Sequence, residues 1–440
     1  MMTRLRSVLA SLAFAAVVTS VGALVAPIAA YAQTTVTMWT FLDPNRPGGR
    51  EQALKTIIES FERQNPTIRI RVEPQVWTTL AEKFVLGHSA GNAPDIAWVN
   101  LENMGLILNS DAAADLNPLI VRNWPADRRA DLLLPGWLDS LTANGRLQAM
   151  PIMASTWVLM YRRDLLRDAG LTPESLRTWD GVTEAARRMT RRASPDAQPQ
   201  IWGMGLGLSQ ERFSATPAVL AAIGAPGGIF GDNCRARLAT PEAARAVQMQ
   251  ADWILRDRVT PREALSMSSD DAIDQFAAGR FAMQIIANSR FEQIQRTAAG
   301  WNGADLAMAP VPGVSADRPG ATLIVGWSAV AWSRSPRLQQ AARFIDYMTN
   351  AESMALWSAP GAQVPMTRSV AARPEMQTAQ AAPLREVSAM FAASGAYMPA
   401  ACNWSRTFAD FNLATQQVVL GQRNVADALR VAERATQDRQ

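Results

Sequence analysis

Across 440 residues the chain holds one histidine, His88, and that scarcity decides most questions of chemistry. His88 reads as the polar C-terminal end of a helix, where a cation is mildly favoured, so it takes no chemical role. The usual Ser-His-Asp, Cys-His and multi-histidine zinc constellations then drop out together. Carboxylates remain. A pair such as Asp43 and Glu102 could run the histidine-free, two-carboxylate chemistry of a secreted glycosidase or lyase. Gly203-Met-Gly-Leu-Gly207 has the look of a nucleotide-binding glycine loop, yet it lacks the P-loop lysine and the full dinucleotide spacing and reads as a strand or turn. No cofactor and no metal is implied. Cys234 and Cys402 are the only cysteines. An oxidising compartment would let them pair, and a disulfide and two buried free thiols both fit the sequence.

These side chains need a scaffold and a location. Arg4 and Arg6 precede an apolar run from about Val8 to Ile28 and then Ala30-Tyr-Ala32, the order of a secretory signal peptide (residues 1–32) cleaved after Ala32. An uncleaved anchor helix is the alternative, because the run approaches the roughly 20 residues that span a bilayer. Gly22 and Pro27 interrupt the run and favour cleavage. No cysteine near that site could take a lipid, so the expectation is a freely diffusing protein of the periplasm. The remaining chain, about 400 residues, exceeds what one core normally serves, and two domains with a cleft between them are expected. Basic residues are nearly all arginine, with lysine only at 55 and 83, and they alternate with acidic ones under a net charge of +4. That pattern is a solvated surface and no nucleic-acid footprint.

Val36–Phe41, Ile68–Val72 and Asp95–Val99 read as strands. Between them, Leu54, Ile57, Ile58 and Phe61 recur at helical spacing until Asn65-Pro66, and a second helix is expected from about Thr79 to Ser89. Strands alternating with helices imply an α/β fold with a parallel sheet covered on both faces. From Asn144-Gly145 the pattern changes to a run of helices, with hydroxyl-before-proline starts at Thr240-Pro241, Thr260-Pro261 and Ser335-Pro336. Further strands are expected at Phe281–Ile286, Ala307–Val311 and Leu323–Trp332, and closing helices at about 406–421 and 425–437. Thr367–Pro383 reads as a surface connection.

In order along the chain stand Trp39-Thr-Phe41, Phe61-Glu-Arg-Gln-Asn-Pro66, Gly91-Asn-Ala-Pro-Asp-Ile-Ala-Trp98, Asn144-Gly-Arg-Leu-Gln-Ala-Met-Pro151 and Leu159-Met-Tyr-Arg-Arg-Asp-Leu165. Phe276-Ala-Ala-Gly-Arg-Phe-Ala-Met283, Gly326-Trp-Ser328, Ala341-Ala-Arg-Phe-Ile345 and Asn424-Val-Ala-Asp-Ala-Leu429 follow. Their order and spacing resemble the family 1 extracellular solute-binding proteins, the maltose-binding-protein family, over nearly the whole mature chain. The resemblance implies a type II periplasmic binding protein fold: two α/β lobes, each a mixed sheet flanked by helices, joined at a hinge. One lobe would comprise residues 33–149 and 311–352, the other 150–310 and 353–440. A monomer working with the permease subunits of an ABC importer in the inner membrane is implied as well.

A sugar offers a flat apolar face and a rim of hydroxyls, so its site pairs aromatic platforms with polar groups. The chain has 14 Trp against 4 Tyr. The resemblance places at the site Trp39 and Asp43 after the first strand, then Asn100 and Glu102 after the third, with Glu where maltose-binding proteins carry Asp. Ser155, with Thr156 next to it, stands where maltose-binding proteins have a carboxylate, which counts against maltose. Arg212, Phe213 and Ser214, then Asn288 and Ser289, come next. Gly326 beside Trp327 allows close backbone approach, and Trp327 is the preferred platform. Arg368, Trp404 and Arg406 complete the set. Structural readings stand beside these: core packing for Trp39 and Trp98, a helix cap for Asp43, solvation for the arginines. The expected ligand is a sugar or oligosaccharide, bound without chemistry; the alternatives are glycerol phosphate or a glycerophosphodiester, and, in another class, the glycosidase or lyase above.

Overall fold

Burial that alternates residue by residue makes the first strand, β1 (Thr34–Thr40), half-buried: Val36, Met38 and Thr40 face the core. In this computed structural model, residues 33–438 are described apart from 195, 210–215, 319, 321 and 398. The expected leader and the Arg212–Ser214 segment lie outside the described residues. β1 pairs in parallel with β2 (Ile68–Pro74) on one side and β3 (Ile96–Asn100) on the other. The helix between the first two strands, α1 (Gly49–Gln64), buries Leu54, Ile57, Ile58 and Phe61, the residues whose spacing foretold it. The next, α2 (Leu80–Ala90), ends at Gly91, whose φ of 75° is the left-handed stop that glycine adopts freely.

Asn144 and Gly145, at φ 52° and 73°, turn the hairpin of β4 (Thr142–Ala143) and β5 (Arg146–Leu147). There follows β6 (Met150–Arg162), thirteen residues of which all but Pro151 are buried. The remaining strands are β7 (Arg191–Arg192), β8 (Pro199–Gly205), β9 (Phe281–Ala287), β10 (Leu306–Ala309), β11 (Thr322–Ala331) and β12 (Gly395–Ala396). Hydrogen bonds join the main strands in the order β2-β1-β3-β11-β6-β9-β8-β7. The sheet is mixed, because β11 runs antiparallel to both β3 and β6. Residues up to Thr156 of β6 pair with β11, and from Trp157 onward β6 pairs with β9 and β10 instead. Those two strands therefore carry the sheet from one half of the molecule to the other, and one apolar core follows them through both.

Helix starts were legible only where the hydroxyl was free to cap. Thr240 accepts the Ala243 amide at 3.1 Å and opens the helix Pro241–Leu255. Thr260 instead donates to the Met204 carbonyl, and only a short 3-10 turn, Arg262–Leu265, follows. Ser335 donates to Asp95 at 2.5 Å, so its helix begins later, at Leu338, without a side-chain cap. The supposed surface connection after Thr367 contains the helical turn Arg368–Ala371 and buries Val370 and Met376. Asn403 caps the penultimate helix, which runs Trp404–Val419, two residues earlier than its periodicity suggested.

Cys234 and Cys402 are joined in a disulfide with their Cα atoms 5.1 Å apart, which decides between the two readings. It ties a turn near Gly231 to the start of the helix Trp404–Val419 across a separation of 168 residues. Closing so long a loop removes much of the unfolded chain's freedom. Replacing either cysteine with serine, or reducing the bond, is expected to lower stability by about 2–5 kcal/mol in urea unfolding followed by circular dichroism; an unchanged midpoint would contradict it.

Candidate ligand-binding groove

Residues from four strands, one of them at its strand's end, line one groove. Asn100 ends β3, with Glu102 just beyond it; Ser155 and Trp157 lie on β6, Gln284 on β9, and Gly326 and Trp327 on β11. Phe41 follows β1 and Arg50 sits in the first turn of α1. The groove holds about 1130 Å³, counting its open mouth.

Its aromatic wall depends on a backbone irregularity. The pairing of β11 with β6 slips between Trp327 and Ser328, and Gly326 takes φ 152°. A Cβ there would stand 2.0 Å from the Met153 carbonyl oxygen, so only glycine fits. A bulge of this kind re-aims the neighbouring side chain. Trp327 meets Phe41 with ring centroids 4.3 Å apart and 33° between planes. Trp77 and Trp157 add two further aromatic surfaces, the second backed by Phe408 at 5.7 Å.

Polar groups are set between the rings. Asn100 donates to Glu102 Oε2 at 2.9 Å and accepts from Asn103 at 3.0 Å, so Glu102 is held in one orientation. Burial pushes its carboxyl up to about 7, against the weaker pull of its hydrogen bonds. Ser155 donates to Gln363 at 2.9 Å, leaving its oxygen lone pairs to accept. Gln284 is buried, and its Oε1 meets no donor among the described residues. Across the groove Arg290 pairs with Asp270 at 3.0 Å.

Of the residues singled out in the sequence, Asn100, Glu102, Ser155, Ser289, Gly326 and Trp327 line the groove. Thr156 and Asn288 stand behind it: Asn288 accepts the Thr156 amide at 2.8 Å, and the Thr156 hydroxyl donates to the Leu323 carbonyl at 2.7 Å. The others are placed elsewhere because local partners hold them. Trp39 donates to Glu73 on the neighbouring strand at 2.9 Å. Asp43 accepts the Asn45 amide at 3.0 Å and faces Arg46, so the Asp43–Glu102 carboxylate pair is not assembled in the groove. Arg368 donates to the Leu132 carbonyl at 3.0 Å. Trp404 is buried against Phe230 and donates to the Pro399 carbonyl. Arg406 pairs with Asp410 one turn along its helix, at 2.7 Å. Phe213 lies outside the described residues. His88 stands in the last turn of α2, as its reading placed it, and is buried there: its Nδ1 accepts from the Trp332 indole at 3.1 Å and its Nε2 lies 2.9 Å from Asp111. Sequence reading passed over Phe41, Arg50, Trp77, Trp157, Asp270, Gln284, Arg290 and Gln363. Arg50 had a legible signal, since a cation in the first turn of a helix opposes the dipole; the inward face of a wholly buried strand, as at Gln284, carries none.

Residues 47–355 match the family described as bacterial extracellular solute-binding protein, and the chain belongs to that family. Among its relatives, the arabinooligosaccharide-binding protein of Bacillus subtilis strain 168 is 23% identical over 340 residues, 75% of this chain and 72% of that protein. The maltodextrin-binding protein MdxE of the same strain is 26% identical over 314 residues, 68% of each. The solved ABC transporter solute-binding protein of Thermotoga lettingae TMO, bound with alpha-D-tagatose, superposes with a TM-score of 0.75 at 20% identity, covering 92% of this chain and 99% of that one. The likeness fixes the fold as the mixed α/β, two-lobed architecture of these binding proteins. Among the described residues, no helix is long and apolar enough to cross a membrane.

Glu102 binds its proton more tightly in the folded chain, at about 7, than at its ordinary 4.5. Folding therefore takes up a proton between these values, and this group's contribution to stability is intact below 4.5 and lost as pH rises through about 7. Glu102→Gln removes that penalty. It should raise stability at pH 8 by as much as about 3 kcal/mol and leave it nearly unchanged at pH 4; equal shifts at both pH values, in urea unfolding, would refute this account.

Proposed function

We propose that this chain is the periplasmic receptor of an ABC importer, closing around a sugar or oligosaccharide and handing it unaltered to the permease. The observation that carries the reading is the groove itself, where the Phe41–Trp327 wall faces hydrogen-bonding groups at Asn100, Glu102, Ser155 and Gln284. An aromatic face beside convergent acceptors and donors matches the two surfaces of a pyranose. Relatives named for arabinooligosaccharides and maltodextrin support the same class. Export rests on the leader-like residues 1–32, the lack of nucleic-acid partners on the interspersed charge, and a monomer on the family resemblance.

In this reading the first lobe comprises residues 33–149 and 311–352, and the second 150–310 and 353–440. The helix Ala351–Ser358 packs against α1 and extends the first lobe a little past 352. β6 and β11 serve as the crossings, and ligand contacts made to both lobes at once drive closure.

Small-angle scattering of the purified protein with a panel of mono- and oligosaccharides should show compaction with the bound member, and the ligand should be recovered intact by NMR. Trp327→Ala is expected to weaken that affinity by about thirtyfold or more, the scale of a buried tryptophan anchor. Turnover of the ligand by the pure protein, or full affinity in the Trp327 variant, would overturn the reading.

A further inference from the structure

Arg50 is costly where it stands. It occupies the first turn of α1, where the helix dipole disfavours a cation. Gly48, ahead of it, offers no side-chain cap to the helix. The guanidinium lies over the Phe41 ring, 5.4 Å from its centroid, and among the described residues no carboxylate reaches ion-pair distance of it. Burial, and next the like charge of Arg290, pull its proton affinity down to about 10.

The surrounding acids offset only part of that cost, and among the described residues none pairs with it directly. Asp270 is engaged by Arg290 at 3.0 Å, and Arg290 also donates to Gln293 at 2.9 Å. Glu51 folds back against Gly48, and Glu292 approaches Gly49; both act on Arg50 only at longer range. Glu102 is half-neutral near pH 7. At the α1 end the groove thus holds one guanidinium, Arg50, without an ion-pair partner among the described residues, while the Gln284 Oε1 on the same wall meets no donor among them.

We infer that Arg50 and Arg290, which both line the groove, form an oxyanion subsite, and that the ligand of this receptor is an acidic saccharide carrying a carboxylate or phosphate group. The inference rests on the saccharide reading above and narrows it. An oxyanion between the two guanidiniums replaces their mutual repulsion with charge-assisted hydrogen bonds, available only when both sides of the groove come together. Arg50 lies over the Phe41 ring at the groove wall, while the sugar hydroxyls reach Gln284, Glu102 and Ser155.

Isothermal titration of the purified protein against hexoses, the matching hexuronic acids and the matching hexose phosphates, each as mono- and disaccharides, tests this. An acidic member should bind at least about tenfold tighter than its neutral counterpart, the worth of one charge-assisted hydrogen bond. Arg50→Gln should weaken the acidic member at least about tenfold more than its neutral counterpart, erasing the preference, and melt no lower than the parent; Arg50→Lys should keep part of it. Preference for uronate over phosphate, or the reverse, identifies the group. Neutral sugars binding as tightly as their charged partners, or Arg50→Gln weakening both alike, would overturn the oxyanion subsite and leave the saccharide reading standing. Failure of every member to bind would overturn both.

Discussion

The side-by-side pairing of β6 with β11 is the constraint from which the groove follows. Both strands are almost wholly buried, so their backbone groups have to be satisfied within the sheet. At Thr156 the pairing of β6 with β11 ends, and from Trp157 onward β6 pairs with β9, its neighbour on the other side in the sheet order. The neighbouring side chains at that handover, Ser155, Trp157 and Val325, are groove residues for this reason. Gly326 completes the device, since any Cβ would strike the Met153 carbonyl and force the strands apart. The site is located by backbone accounting before any side chain is chosen.

Two buried carboxylates show how differently such a scaffold treats charge. Asp95 is as deeply buried as any acid in the chain, and burial alone would raise it. Hydrogen bonds from Ser335, Thr37 and Arg337 outweigh that cost and hold it below its ordinary value. It is therefore a structural anion, tying β1 to the segment that leaves β11. Glu102 has one side-chain donor, Asn100, and its burial prevails. A fully partnered acid stabilises a fold, whereas an acid short of donors in a groove has capacity left for something that enters it.

How much of this could be read from the sequence depended on where the decisive neighbour lay. Helix α1 and strands β1 to β3 were legible because their burial follows a local period. Thr240 capped as expected because nothing distant competed for it, whereas Ser335 and Thr260 were claimed by Asp95 and Met204, far along the chain. The same rule divides the site. Glu102, Ser155 and Trp327 lie at strand ends or crossings that motif order could locate, and the groove holds all three. Trp39, Arg368 and Arg406 went to partners on neighbouring elements or their own helix. Gln284 and Trp157 sit in strands buried on both faces, where hydrophobic runs hide which residue points inward.

A receptor that closes must have a reason to be open. One apolar core runs through β6 and β11. The difference between states has to come from groups that face each other over the groove. Arg50 and Arg290 carry like charge toward the same space, which disfavours approach when nothing lies between them. Gln284 Oε1, without a donor, adds a desolvation cost on the same side. In the proposed function, a ligand that satisfies these groups would gain free energy only in a closed arrangement, and that differential would drive the closure.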